Sequence, residues 1–236
     1  MLTLRKAQDR GHTDLGWLTS HHTFSFGSYH DPAHMGFRAL RVINDDRVAP
    51  GRGFGAHGHR DMEILSYVLE GGLAHKDSMG EQHVLGPNEV QAMSAGSGVI
   101  HSEYNASSTE PTHFLQIWIV PSTEDLKPSY QQFAYASSEK RGVLRLIAGP
   151  DRVAHPPAAQ IHQDARMYAA VLGAGDAINY QVPAARHAWV QVATGRVEVN
   201  GLPLEQGDGL AVSGEPALTL RGAGTQDAEL LLFDLA

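Results

Sequence analysis

Gly53-Phe54-Gly55-Ala56-His57-Gly58-His59-Arg60-Asp61-Met62-Glu63 places two histidines at i and i+2. About 40 residues later, Ser97-Gly98-Val99-Ile100-His101-Ser102-Glu103-Tyr104-Asn105 places a histidine and a glutamate at the same spacing. On a β-strand, alternate side chains leave the same face, so each pair points one way. Two such strands side by side would bring His57, His59, His101 and Glu103 together. Three imidazoles and a carboxylate suit one divalent ion: Fe(II), Zn(II), Ni(II), Cu(II) or Mn(II). The chain has 14 histidines, and either pair alone reads more readily as surface residues than as ligands. The case for a metal is that two separate stretches meet the same geometric requirement.

The segments around these pairs have the texture of short strands. Arg38 to Ile43 alternates, and Asn44-Asp45-Asp46 reads as a turn. Ile64 to Leu69 is almost continuously apolar, as in a strand covered on both faces, and Glu70-Gly71-Gly72 closes it. Leu73 to Gly80 reads as a strand and turn, Gly86-Pro87-Asn88-Glu89 as a turn, Val90 to Met93 as a strand, and Phe114 to Val120 as the strongest β run. His12, His21, His22, His30 and His34 form no HxH pair and read as surface or hydrogen-bonded residues. Phe24, Phe26 and Phe37 read as core packing, a place for one of them at a pocket mouth being the lesser reading.

The pattern then breaks over residues 121–140, with Pro121, Pro128 and Ser137-Ser138-Glu139-Lys140. This divides the chain into an N-terminal metal-binding domain (1–120), a linker (121–140) and a C-terminal domain (141–236). The second half repeats the texture of the first. Trp189 to Gly195 lines up with Leu65 to Gly71, Leu204 to Ser213 with Leu85 to Ser94, and Asn200-Gly201 signals a hairpin. This register puts Gln181 and Pro183 where His57 and His59 stood, and Leu220 and Gly222 where His101 and Glu103 stood. None of the four is a plausible ligand, so the second half is expected to keep the fold without the metal. Many short strands and few helices predict an all-β protein and agree with two double-stranded β-helix (jelly-roll) domains.

Gly51…His57-Gly58-His59…Glu63…Gly71 is similar to the first cupin motif, and Gly98…His101…Asn105 to the second. Gly96 stands where the second motif usually has Pro, Val90 stands where it has an earlier Gly, and the closing Gly of the first motif falls one place late. Glu two residues after the third His is typical of the pirin family. His22-Thr23-Phe24-Ser25-Phe26, Leu40 to Asp46 and Met93 to Gly98 add to the likeness, which runs from about residue 3 to the C-terminus. The chain thus resembles the bacterial pirin-like quercetin 2,3-dioxygenases, and a bicupin with one metal site is expected.

The resemblance implies one divalent ion, first of all Fe(II), and a metal-dependent dioxygenase. It would open a flavonol such as quercetin with O2 and release CO. Glu103 would be both ligand and catalytic base, taking the proton of the flavonol 3-hydroxyl. It is favoured over Glu63 because it shares a strand face with His101 and matches the pirin pattern; Glu63 then becomes a partner that orients an imidazole, with His113 and Asp61 as further candidates. The resemblance also admits an iron-binding, redox-sensitive regulatory protein that uses the same site without turnover and meets a protein partner. Isomerisation of a sugar phosphate is disfavoured, since no Lys/Arg cluster near the motifs suggests a phosphate clamp.

Composition narrows the field. The 236-residue chain is 42% hydrophobic and 19% charged, ordinary for a globular protein, with a formal charge of −8. That balance, with no basic cluster, argues against direct nucleic-acid binding. With no cysteines, any metal must take His and carboxylate donors. The N-terminus lacks the apolar core of a signal peptide, and no apolar run reaches bilayer length, so no membrane association and a cytoplasmic location are expected.

Overall fold

A computed structural model of the chain describes residues 1–151, 153–154 and 157–236. Among the described residues, helical structure is limited to the turns Ala7–Asp9 and Ser137–Lys140, and strands make up the rest of the regular structure. Among the described residues, no helix is long and apolar enough to cross a membrane. The chain divides into two compact units, residues 11–134 with 150–163, and residues 1–10 with 135–149 and 164–236.

In the first unit, seven strands lie in the order Ser129–Ala134, Glu89–Ser94, Glu63–Glu70, Thr112–Ile119, Leu40–Val48, Leu18–His22, Gly11–Asp14. A second sheet has the order Gly53–His59, Val99–Asn105, Leu73–Asp77, Gln82–Leu85. The two sheets share their apolar side chains. Leu18, Val48, Val68 and Phe114 of the larger sheet cluster with Leu73 and Leu85 of the smaller one, and Ile64 and Met93 cluster with Val99. This is the jelly-roll arrangement expected of a cupin.

Thr112–Ile119 pairs with a strand on each side and is buried almost throughout, which explains its near-continuous apolar sequence. Yet its inward face is not uniformly apolar. The same-face residues run Phe114, Gln116, Trp118, and on the neighbouring strand Ile64, Ser66, Val68. A polar layer therefore lies between apolar ones in the interior of this unit, and it contains the candidate site.

The second unit places Leu2–Arg5, Gly209–Ser213, His187–Thr194, Ala228–Leu235, Ala165–Leu172 and Arg145–Gly149 side by side in that order. Its smaller sheet runs Ala177–Gln181, Ala217–Gly222, Arg196–Val199, Leu202–Glu205, the same order of elements as in the first unit. Here Val190, Val197, Leu204, Leu218, Leu220 and Leu230 belong to one apolar cluster in the interior. Among the described residues, no group of metal donors forms in this unit.

Three local expectations need revision. Asn44-Asp45-Asp46 is not a turn but the middle of the strand Leu40–Val48. Asn and Asp favour turns when their side chains bond their own backbone, whereas here Asn44 accepts from His22 and Asp45 pairs with His113. In the second unit Leu220 faces Ile178, and Gln181 pairs with Ala217 instead, while Pro183 lies beyond the strand. A period-two pattern without a fixed turn leaves such a register open. Residues 121–140 also carry more than a connection, since Ser129–Ala134 pairs along Glu89–Ser94 and Ser137–Lys140 is a helical turn.

Candidate metal centre

The strands Gly53–His59 and Val99–Asn105 are antiparallel neighbours, with His101 opposite His57 and Val99 opposite His59. His57 and His101 thus form a direct cross-strand pair, and His59 sits diagonal to it. The register then slips, so that Glu103 faces Phe54. This bulge brings the backbones so close that a Cβ on Gly53 would lie 2.3 Å from the Glu103 carbonyl oxygen and 2.5 Å from Tyr104 Cα. Only glycine fits there.

One ring nitrogen from each of His57, His59 and His101 lies within 4.8 Å of the other two. His57 Nδ1–H donates to the Gly55 carbonyl at 2.8 Å, which leaves the lone pair on Nε2. That Nε2 is 3.1 Å from His101 Nε2. His59 Nε2 is buried and has no hydrogen-bonding partner in the protein. Burial lowers the pKa of His59 to about 4, with His57 adding to the effect. Burial, and then the three neighbouring imidazoles, lower that of His101 to about 3. Both rings are therefore neutral near pH 7 and present lone pairs, as metal ligation requires. Three converging ring nitrogens, one of them (His59 Nε2) buried and partnerless, are what a cation site needs, and the donor set fits a divalent ion.

Glu103 shares the inward face of its strand with His101, but groups with His101 and His75 rather than with His57 and His59. Its carboxylate accepts from Gln91 Nε2 at 3.2 Å and from Gln116 Nε2 at 2.9 Å. Ser66 Oγ lies 3.0 Å from Glu103 and 2.7 Å from Gln116 Oε1, and its single proton serves one of them at a time. Burial pushes the Glu103 pKa up, against the lowering effect of these hydrogen bonds.

His75 was legible but overlooked. With Asp77 it repeats the i, i+2 spacing of the other two pairs. Its Nε2–H donates to Asp77 Oδ2 at 3.0 Å, and its Nδ1 and His101 Nδ1 are both buried without a partner. The two rings are 5.4 Å apart between centroids. Glu63, in contrast, accepts from Ser94 and from His162, so the imidazole it orients is not at this centre. His113 pairs with Asp45, and Asp61 accepts from the Asp125 backbone.

The centre opens onto a cavity of about 340 Å³ in the first unit, lined by His57, Glu103 and Gln116. Leu15, Leu18, Phe26, Phe54 and Trp118 give it mainly apolar walls. Phe26 therefore lines the pocket, whereas Phe24 is core. A polar patch on the wall consists of Thr13, Ser20, His22, Asn44 and Asp46. His22 Nδ1–H donates to Asn44 at 2.8 Å, and the Thr13 hydroxyl lies 2.9 Å from His22 Nε2. Single-residue polarity gave no hint that His22 and Asp46 would face a cavity. Their inward alternation with Leu18 and Val48 was the available signal.

Residues 3–119 match the family Pirin, and residues 146–235 match the Quercetinase C-terminal cupin domain. The chain is 46% identical to a quercetin 2,3-dioxygenase of Escherichia coli, over all of this chain and 99% of that one. It is 40% identical to a pirin-like protein of Caulobacter vibrioides, over 98% and 99% of the two chains. The crystal structure of the Escherichia coli bacterial pirin YhhW in complex with nickel(II) superposes with a TM-score of 0.93 at 46% identity, covering 100% of this chain and 99% of that one.

Proposed function

Since the chain belongs to the pirin family, we propose that it is a metal-dependent dioxygenase that cleaves a flavonol such as quercetin with O2 and releases CO. The observation that carries this reading is the convergence of three imidazole nitrogens beside a mostly apolar cavity that His57 and Glu103 line. His57, His59 and His101 hold the ion and Glu103 completes its shell, with Fe(II) as the working ion for this set of nitrogen and oxygen donors. Nickel in the related Escherichia coli protein supports a divalent ion of this class. When bound, the metal acidifies a hydroxyl that coordinates it.

The protein's own groups do the rest. Glu103 accepts the proton of the flavonol 3-hydroxyl, a role favoured by the burial that raises its pKa. Gln91, Gln116 and Ser66 fix the carboxylate so that its proton-accepting oxygen stays aimed at the substrate. Phe26, Phe54 and Trp118 offer flat apolar surfaces to an aromatic ring system and keep water away from the reacting carbons. Among the described residues, the second unit contributes an apolar core and no group of metal donors.

The test is incubation of iron-loaded protein with quercetin under O2, following the flavonol absorbance and headspace CO together. Both change in a fixed ratio if the reading holds. Bound metal with no loss of flavonol would instead favour a regulatory protein that uses the site without turnover.

A further inference from the structure

The cavity wall contains a carboxylic acid that the metal chemistry does not use. Asp46 lies on the inward face of Leu40–Val48, 3% exposed, and borders the cavity. Ser20 hydrogen-bonds its carboxyl, but Oδ1 is buried with no partner in the protein. No lysine or arginine is among the residues lining the cavity. The neighbouring polar groups are satisfied, since His22 is held by Thr13 and Asn44, and Gln116 by Glu103 and Ser66. Among the lining residues described, only Asp46 Oδ1 and Trp118 Nε1 are buried polar atoms without a partner.

A buried acid without a cation or a full set of donors costs stability. Such a group on the wall of a binding cavity marks a place where a ligand supplies the missing partner. We propose that Asp46 is a specificity-determining residue whose carboxyl hydrogen-bonds a ring hydroxyl of the bound flavonol, an inference that rests on the flavonol reading above. Burial holds the carboxyl up at about 7, so near neutral pH it both donates to and accepts from a phenolic oxygen. The apolar walls select a flat aromatic ligand, and Asp46 selects among flavonols by their peripheral hydroxyls.

The experiment measures flavonol binding to zinc-loaded protein without O2, by quenching of tryptophan fluorescence. The probes are quercetin and 3-hydroxyflavone, which keeps the 3-hydroxy-4-keto pair but lacks the ring hydroxyls. Asp46→Leu, of similar size, is expected to weaken quercetin binding about tenfold or more and 3-hydroxyflavone less than about twofold, at unchanged metal content. Asp46→Ala, which cannot overfill the wall, decides the matter if the leucine variant does not fold. Unchanged quercetin affinity, or equal weakening of both ligands, overturns the role of Asp46 while leaving the substrate reading intact. Failure of the parent protein to bind either ligand overturns that reading and this inference with it.

Discussion

His57 and His101 stand directly opposite each other on adjacent strands, their Nε2 atoms 3.1 Å apart. Because His57 Nδ1–H is committed to the Gly55 carbonyl, its Nε2 offers only a lone pair. Burial keeps His101 largely unprotonated, and His59 adds a third nitrogen without a partner. A divalent ion relieves this crowding of lone pairs. Binding that favours the folded state stabilises by about 2.7 kcal/mol when the ion is at a hundred times its Kd. Metal addition to chelator-treated protein should therefore raise Tm by several degrees, and His57→Ala should abolish the rise. An equal rise in the variant, followed by differential scanning fluorimetry, would place the stabilising ion elsewhere.

Glu103→Gln keeps the size of the side chain but removes the proton acceptor. Turnover of quercetin should fall by about 10²-fold or more, while most of the metal remains on the three histidines. Kinetics combined with elemental analysis of the same preparation separates the two effects. Full turnover in this variant would remove Glu103 from the chemistry.

His75 and Asp77 support the centre from behind. With its Nε2–H on Asp77, His75 turns its Nδ1 lone pair into the interior that it shares with His101. The His75 ring packs beside that of His101, 5.4 Å between centroids, as an outer partner of the ligand. Loss of such an outer partner costs about 10–100-fold in metal affinity. His75→Phe and Asp77→Asn should both weaken zinc binding to that extent in competition with a chromophoric chelator, and in the double variant the two losses should not add.

Stability of the metal-free protein should depend on pH through Asp46. Its folded pKa of about 7 exceeds the ordinary 3.8, burial being the main cause. Such a group supports folding fully below the unfolded value and loses that support as pH rises through the folded one. The loss spans about pH 4 to 7 and is on the order of a few kcal/mol. Asp46→Asn should therefore match the parent near pH 4 and exceed it in Tm by several degrees at pH 8. A difference that stays constant across that range would contradict the assignment.

The sequence was most legible where chemistry and strand period coincide. His57, His59 and His101 announce themselves because an i, i+2 pair on a strand can serve only one face, and the structure brings their nitrogens together. The apolar interior of the second unit was readable for the converse reason, since its strands carry apolar residues on the face that packs inward. Glu103 was placed on the correct face, but its company of Gln91, Ser66 and Gln116 comes from three other strands, whose lateral order one sequence does not fix. Asp46 was hidden by its neighbours, because Asn44-Asp45-Asp46 carries the composition of a turn, yet it pairs with Leu18–His22 and Thr112–Ile119 as a strand and its side chains bond His22 and His113. The register of Ala177–Gln181 was missed because alternation alone does not count residues through a loop.

The most direct measurement of the central claim is anomalous diffraction from metal-loaded crystals at the absorption edge of the ion. The account predicts one peak per chain, in the first unit, about 2.0–2.2 Å from a ring nitrogen of each of His57, His59 and His101, with a Glu103 oxygen nearby. A peak in the second unit, or three imidazoles turned away from a peak elsewhere, would contradict it.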